Sequence, residues 1–376
     1  MPISHNYEPE RLAWLSLNLV PEIGPVRFRK LVERLGSARE VLAAPLPRLA
    51  SVQGVGKSAA SKIIASRGKK HQQRLEWELA TLANNPDIHF VLYPDPEYPA
   101  QLKDLHDPPM VLYLRGKPQP EDSLAVALVG TRRLSPYGKA LAKRLGQTLA
   151  ENGITVVSGC AAGIDQAAQT AAINAGGRSL GVLGTGIDVV FPAHSGREHN
   201  LVAANGALIS EFPLGTKPTM GNFPRRNRLI AALSLATVVI EAPERSGALI
   251  TARFAAELGR EVMACPGNAI GEGNRGSHAL LKDGAVFVEG VEDILAAIGE
   301  AAEPRLFAEK VIAREEPDLT DDEAALLEQL SATPRHLDEL TRVLDYSPGI
   351  LMQHLLTLEM KGLAEQLPGM YYRRPF

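Results

Sequence analysis

The chain has 376 residues, 45% of them apolar and 22% charged, with a formal net charge of −3. This composition excludes a disordered or fibrous chain, and no stretch approaches the ~20 apolar residues of a membrane-spanning helix. Cys160 and Cys265 are the only cysteines, so neither a disulfide framework nor a cysteine-rich zinc site is available.

The N-terminal run Met1–Leu17 lacks the charged-then-apolar layout of a signal peptide, and a cytoplasmic protein is expected. Charge is uneven: +4 over residues 1–120, −1 over 121–300 and −6 over 301–376. A phosphate site must therefore come from local clustering, as in Arg225, Arg226 and Arg228.

Residues 1–84 read as a domain of short helices. Leu12, Leu15 and Leu19, then Val26, Leu31 and Leu35, recur at helical spacing, and glycines and prolines punctuate them. The segments Val20–Val26 and Ser51–Lys57 look alike, each placing an apolar residue, a glycine and a tight turn between two helices. That pattern suggests helix-hairpin-helix (SAM-like) units, whose backbone N–H groups can meet a DNA phosphate. A compact helical domain whose glycines only make turns fits the same pattern. Gly56-Lys57-Ser58 mimics the end of a P-loop, but Ser51 stands where its first glycine belongs, so ATP binding is rejected.

Residues 85–300 form the next domain. A proline-rich join over 85–120 leads into apolar runs that alternate with helical segments. Strands are expected at Leu124–Val129, Ile154–Val157, Ser179–Leu183, Ala207–Ile209, Thr237–Ile240, Glu261–Ala264 and Ala285–Val288. Helices are expected between them, including Tyr137–Asn152, Asp165–Ala175 and Gly247–Leu258. The alternation predicts an α/β, Rossmann-like domain with a parallel sheet covered on both faces.

Residues 301–319 read as a charged linker, and 320–376 as a small separate domain. Helices beginning near Leu326, at His336–Leu344 and at Ser347–Lys361 precede a β-hairpin, the pattern of a winged helix. Its second helix-turn-helix member carries no Arg or Lys over Ile350–Met360. Protein contact is therefore at least as good a reading of this unit as DNA binding.

In open α/β sheets, ligands sit at the carboxyl ends of the strands. Three of those ends are glycine-rich, Gly130-Thr131-Arg132, Ser158-Gly159 and Gly184-Thr185-Gly186, and the fourth reads Ser210-Glu211. Glycines let backbone N–H groups approach a phosphate. The G-x-G-x-x-G fingerprint and the ribose-binding acid are missing, so a nicotinamide cofactor is not expected; nor is any other cofactor. Arg132 is placed to pair with a phosphate, or else with Asp165 or Glu211.

The stretch Gly221–Ile230 clusters Phe223, Arg225, Arg226, Asn227 and Arg228 at a helix start. Arginines plus an aromatic suit an unpaired strand, with stacking worth ~1–3 kcal/mol per base. Ser246-Gly247 opens a further helix and offers an anion its free N–H groups. Glu241 is read as anchoring Arg226 or Arg228 in preference to acting as a catalytic acid. His194, His199 and His278 have no metal spacing, and Cys160 has no evident base.

In this order, the motifs resemble the DNA-processing protein A family (DprA, also called Smf). The marks are Tyr98-Pro99, Asp107-Pro108-Pro109, Gly130-Thr131-Arg132, Ser158-Gly159, Gly163-Ile164-Asp165 and Gly184-Thr185-Gly186. They continue with Ser210-Glu211, Phe223 to Arg228, Ser246-Gly247, Thr251, Pro266-Gly267 and Gly284-Ala285. The resemblance implies a non-enzymatic protein that binds and protects incoming single-stranded DNA in natural transformation. It implies help in loading the recombinase RecA, and a homodimer joined through the Rossmann-like domain. Carried over by motif, the phosphate-binding arginine is Arg132, the stacking aromatic Phe223, and the arginine pair Arg226 and Arg228.

Three positions depart from the family pattern. Ala162 stands where Lys or Arg is frequent, Gln169 where His is common, and Met220 where a basic residue can occur. Lys217 or Arg197 would have to complete the pocket, or binding would be weaker. The alternative class is a nucleotide-binding phosphoribohydrolase-like enzyme of the lysine-decarboxylase-like group. The loop Arg245–Thr251 lacks that group's P-G-G-x-G-T pattern. A transcriptional regulator acting through the C-terminal unit is a third reading.

Overall fold

The computed structural model describes residues 7–299, 319–331, 334–344 and 346–374. Contacts divide the chain into two compact units, Met1–Glu303 and Pro304–Phe376. The expected linker at 301–319 lies, except for Leu319, outside the described residues.

The first unit begins with helices α1 (Pro9–Asn18), α2 (Pro25–Leu35), α3 (Ala38–Ala43), α4 (Leu46–Ala50), α5 (Gly56–Ala65) and α6 (Lys69–Asn84). Proline at the first position opens α1 and α2, where its missing N–H costs nothing. Ser37 caps α3 by accepting from the Glu40 N–H. Leu15, Leu17, Phe28, Leu31, Leu49 and Ile63 are fully buried between these helices. Arg27 ties the two look-alike hairpins together by donating to the carbonyls of Glu22 and Gly54, 2.8 Å each. These are the helix-hairpin-helix units expected from the sequence.

The sheet has nine strands: β1 (Ile88–Leu92), β2 (Val111–Gly116), β3 (Ala125–Val129), β4 (Thr155–Ser158), β5 (Ser179–Val182), β6 (Gly206–Ser210), β7 (Ala236–Val239), β8 (Glu261–Ala264) and β9 (Val286–Phe287). Their order is β1-β2-β6-β5-β4-β3-β7-β8-β9. Strands β3 to β9 are parallel, but β2 runs antiparallel to β6 and β1 antiparallel to β2.

The seven strands expected from the sequence form the parallel sheet, and the proline-rich join at 85–120 adds two antiparallel strands that were not expected. Its prolines flank the strands and do not interrupt them, which an edge tolerates. α6 fastens to this edge: the buried Glu78 carboxylate accepts from the Tyr113 hydroxyl (2.6 Å) and the Leu214 N–H (3.1 Å).

Helices α7 (Pro136–Glu151), α8 (Ile164–Asn174) and α13 (Val291–Ile298) cover one face of the parallel strands. α10 (Asn222–Ala232) and α11 (Gly247–Glu257) cover the other, while α9 (Gly196–Ala204) and α12 (Arg275–Lys282) complete the crossovers. The chain leaves β3 for β4, β5 and β6, then returns to place β7 on the other side of β3. Adjacent β3 and β7 thus make a topological switch point: the chain leaves β3 for α7 on one face and β7 for α11 on the other, and a crevice lies between these connections.

The second unit holds α14 (Asp321–Gln329), β10 (Arg335–His336), α15 (Leu337–Leu344), α16 (Pro348–Met360), β11 (Glu365–Leu367) and β12 (Tyr371–Arg373). Its three strands form an antiparallel sheet in the order β10-β12-β11, and Leu326, Leu340, Leu351, Leu355 and Tyr372 make its core. This is a winged helix. The outer side of α16 exposes Ile350, Met352, Leu356 and Met360.

Candidate nucleic-acid interface

The loop leaving β3 is pinned at the switch point by its backbone. Thr131 donates its N–H to the Glu241 carbonyl (2.7 Å), and its own carbonyl accepts from the Ile164 N–H (3.2 Å). Its hydroxyl accepts from the Arg133 N–H (3.1 Å), and Gly130 lies against Ile164. Gly163 closes the other side at φ +99°, where a Cβ would stand 2.3 Å from the Thr131 carbonyl. Only glycine serves both requirements.

So held, Arg132 projects into solvent with its guanidinium 5.3 Å from the centre of the Phe223 ring. It has no ion-pair partner among the described residues, so the alternative bridge to Asp165 or Glu211 is not made. Phe223, in the first turn of α10, is half-buried. Phe191 flanks it at 5.5 Å between ring centres, and a Cβ on Gly184 would stand 2.7 Å from the ring. The absence of a side chain at Gly184 is what lets the ring settle there.

The three arginines of α10 have different fates. Arg226 is buried and donates to the carbonyls of Gly159 (2.8 Å) and Val182 and to the Asn227 side chain (3.1 Å). Burial works against its charge, and the neighbouring Asp165 supports it. Burial likewise pushes the Asp165 carboxyl above its ordinary value, opposed by Arg226 and by N–H bonds from Ala161 and Gly159.

Arg228 is also buried, 2.7 Å from a Glu211 oxygen that Arg225 shares at 2.7 Å. Burial raises the Glu211 carboxyl, and Arg228 and Arg225 counter it. Of the three, Arg225 alone reaches solvent, with 47% of its side chain exposed.

Several expected contact residues are used internally. The Ser158 hydroxyl is buried and donates to the Leu128 carbonyl (2.6 Å). Gly159 gives its N–H to Asp165 and its carbonyl to Arg226. Asn227 spans from Arg226 to the Gly247 carbonyl (3.1 Å), joining α10 to α11. Ser246 caps α11, its hydroxyl accepting from the Ala248 N–H (3.3 Å), beside the exposed Gly247.

Glu241 corrects an expectation. It anchors neither Arg226 nor Arg228; its carboxylate accepts from the Ser135 N–H (3.0 Å) and hydroxyl (3.1 Å) at the start of α7. An acid at a helix N-terminus is favoured by the macrodipole. Glu211 is the anchor of Arg228 and Arg225.

Burial pushes the Cys160 thiol up to about 12, which keeps it protonated and unreactive. His194 is exposed, His199 is buried in α9, and His278 accepts from the Gly267 N–H. Among the described residues no group of three potential ligands could hold a metal ion.

What remains open to solvent is a groove of ≈650 Å³ lined by Arg132, Phe191, Phe223, Asn227, Arg245 and Ser246, among others. Arg245 and Phe191 were missed by sequence reasoning. A basic residue directly before a Ser-Gly helix cap was the available signal for Arg245, and the aromatic of Phe191-Pro192, after the third glycine turn, for Phe191.

Of the departures, Gln169 is buried and donates to Ser179 and Leu180, so that position faces inward. Met220 stands on the groove rim, 93% exposed, while Ala162 is half-exposed and Lys217 and Arg197 are exposed. An unpaired guanidinium beside an aromatic ring and a helix N-terminus can hold an anionic backbone and stack a flat ring.

A Rossmann-like sheet with such a groove at its switch point, preceded by helix-hairpin-helix units and accompanied by a winged helix, defines a class of DNA-processing protein. The chain belongs to the DNA recombination-mediator protein A family, whose model matches residues 89–299. The DprA-like N-terminal HHH domain matches residues 8–66 and the DprA winged helix domain residues 312–370.

Protein Smf of Synechocystis sp. is 32% identical across 97% of this chain and 99% of its own length. Protein Smf of Escherichia coli is 36% identical across 77% and 78%. The crystal structure of DNA processing protein A from Streptococcus pneumoniae aligns with a TM-score of 0.65 at 29% identity, over 76% of this chain and 97% of that one. The DNA processing protein A of Helicobacter pylori, described for its single-stranded DNA binding mode, aligns with a TM-score of 0.50 at 28% identity, over 58% and 97%.

Proposed function

We propose that this protein binds single-stranded DNA across the switch-point groove, with phosphates at Arg132, Arg245 and the α11 N-terminus and a base on Phe223. The observation that carries this reading is the pairing of Arg132, a cation without a carboxylate partner among the described residues, with the Phe223 ring 5.3 Å away. A buried arginine is accounted for by its internal partners; an unpaired one aimed at a groove is accounted for by an anion it receives. The single-stranded DNA binding of the Helicobacter pylori relative supports the same partner.

On this reading the role is to hold and protect incoming single strands during natural transformation and to help load RecA onto them. It would act in the cytoplasm as a homodimer joined through the Rossmann-like domain, with no step of covalent catalysis. Asp165, the acid that lines the groove, is already held by the Gly159 and Ala161 N–H groups beside Arg226, which supports binding over hydrolysis.

Two variants test the groove. Phe223→Ala removes one stacked base and is expected to weaken binding of an oligo-dT by ~1–3 kcal/mol. Arg132→Ala is expected to weaken it and to lower the log–log salt slope by ~0.7, one phosphate for a single strand. Fluorescence anisotropy reads both, and unchanged affinity in Arg132→Ala contradicts the groove as drawn.

A further inference from the structure

We infer that a single strand leaving the Arg132–Phe223 groove continues along the cleft between α7 and α8, with two of its phosphates meeting Lys139 and Lys143. This rests on the strand-binding reading above and extends it to a surface that reading does not use. The cleft, of ≈1130 Å³, begins where the β3 loop ends: Leu134, Ser135 and Gly163 line it, and Gly163 packs on the Arg132 backbone. A strand held at Arg132 therefore has this cleft as a direct continuation.

Lys139 and Lys143 line the cleft one helical turn apart on α7. Residues at that spacing are neighbours, with ~5–6 Å between their Cβ atoms. Both are exposed, and neither has a carboxylate partner among the described residues. Surface cations elsewhere in the same unit do find acids at this spacing, as Arg29 does with Glu33 and Arg253 with Glu257.

The opposite wall is α8, where the small side chains of Ala167 and Ala171 leave room and Gln166, Thr170 and Asn174 offer polar groups. Large apolar side chains, which a protein partner's anchor would require, are scarce there. Two acids also line the cleft: Glu151, which accepts from the Gln147 amide, closes the end of α7 farthest from Arg132, and Glu198 comes from α9. The cationic track is therefore short and lies against the groove, a match for the backbone of a departing strand.

The test uses the full chain, with labelled oligo-dT of about 6 and about 25 nucleotides titrated at several salt concentrations. The double variant Lys139→Gln, Lys143→Gln is expected to bind the short strand as the wild type does. For the long strand its salt slope should fall by ~1.4, two phosphates at ~0.7 each. Arg253→Gln, on the opposite face of the sheet, should change neither.

An unchanged long-strand slope in the double variant overturns the track and leaves the groove standing. An equal fall in Arg253→Gln also overturns it, since the effect would then be general charge. Failure of the wild type to bind either strand overturns the groove reading, and the track with it.

Discussion

Arg226 and Arg228 carry the motif that the sequence makes most conspicuous, yet each is enclosed. A run of three arginines reads as a phosphate clamp until their partners are located: Arg226 donates to the carbonyls of Gly159 and Val182 with the charge of Asp165 nearby, and Arg228 pairs with Glu211, 17 positions away. Arg132 and Phe223 were legible because a strand, a glycine turn and a helix start place them wherever the sheet opens.

The division has a consequence for stability. Arg226→Ala leaves Asp165 buried without its cation and two carbonyls without their donor, a change expected to cost about 3 kcal/mol. Arg132→Ala, exposed and unpaired, should stay within ~0.5 kcal/mol of wild type. Urea denaturation of the two variants separates the strut from the contact residue: equal losses would place Arg132 in the fold's interior bonding.

At the scale of elements, all seven parallel strands lay close to their expected positions, because a continuous apolar run bounded by helical segments is the pattern of a strand covered on both faces. β1 and β2 were hidden by the prolines around them. The apolar run His89-Phe90-Val91-Leu92 and its counterpart Met110–Leu114 were present, but nothing local says that they pair antiparallel onto β6. The Tyr113–Glu78 hydrogen bond, which ties β2 to α6, is likewise a long-range contact between different elements.

The β4–α8 turn shows how an element governs the site. Gly163→Ala would force a Cβ into the Thr131 carbonyl at positive φ, moving the loop that carries Arg132. The expected outcome is a loss of more than ~1 kcal/mol of stability together with weaker oligo-dT binding. A destabilised variant that kept full affinity for the strand would show that the loop's position does not matter to the groove.

Across the whole molecule, charge is distributed by task. The helix-hairpin-helix units and the groove hold exposed cations, whereas the winged helix presents an apolar side of α16 without Lys or Arg. Net charge of −3 says nothing of this; only local pairing does. A binding surface built from backbone contacts and a stacking ring should favour unpaired bases over a duplex, whose bases are already stacked, and should show little sequence preference.

The most direct measurement is fluorescence anisotropy of the intact protein with labelled oligo-dT and with a duplex of matching length, each at several salt concentrations. Tight, salt-sensitive binding of the single strand and markedly weaker binding of the duplex are expected. Duplex affinity equal to or greater than that of the single strand would contradict the groove as the binding surface.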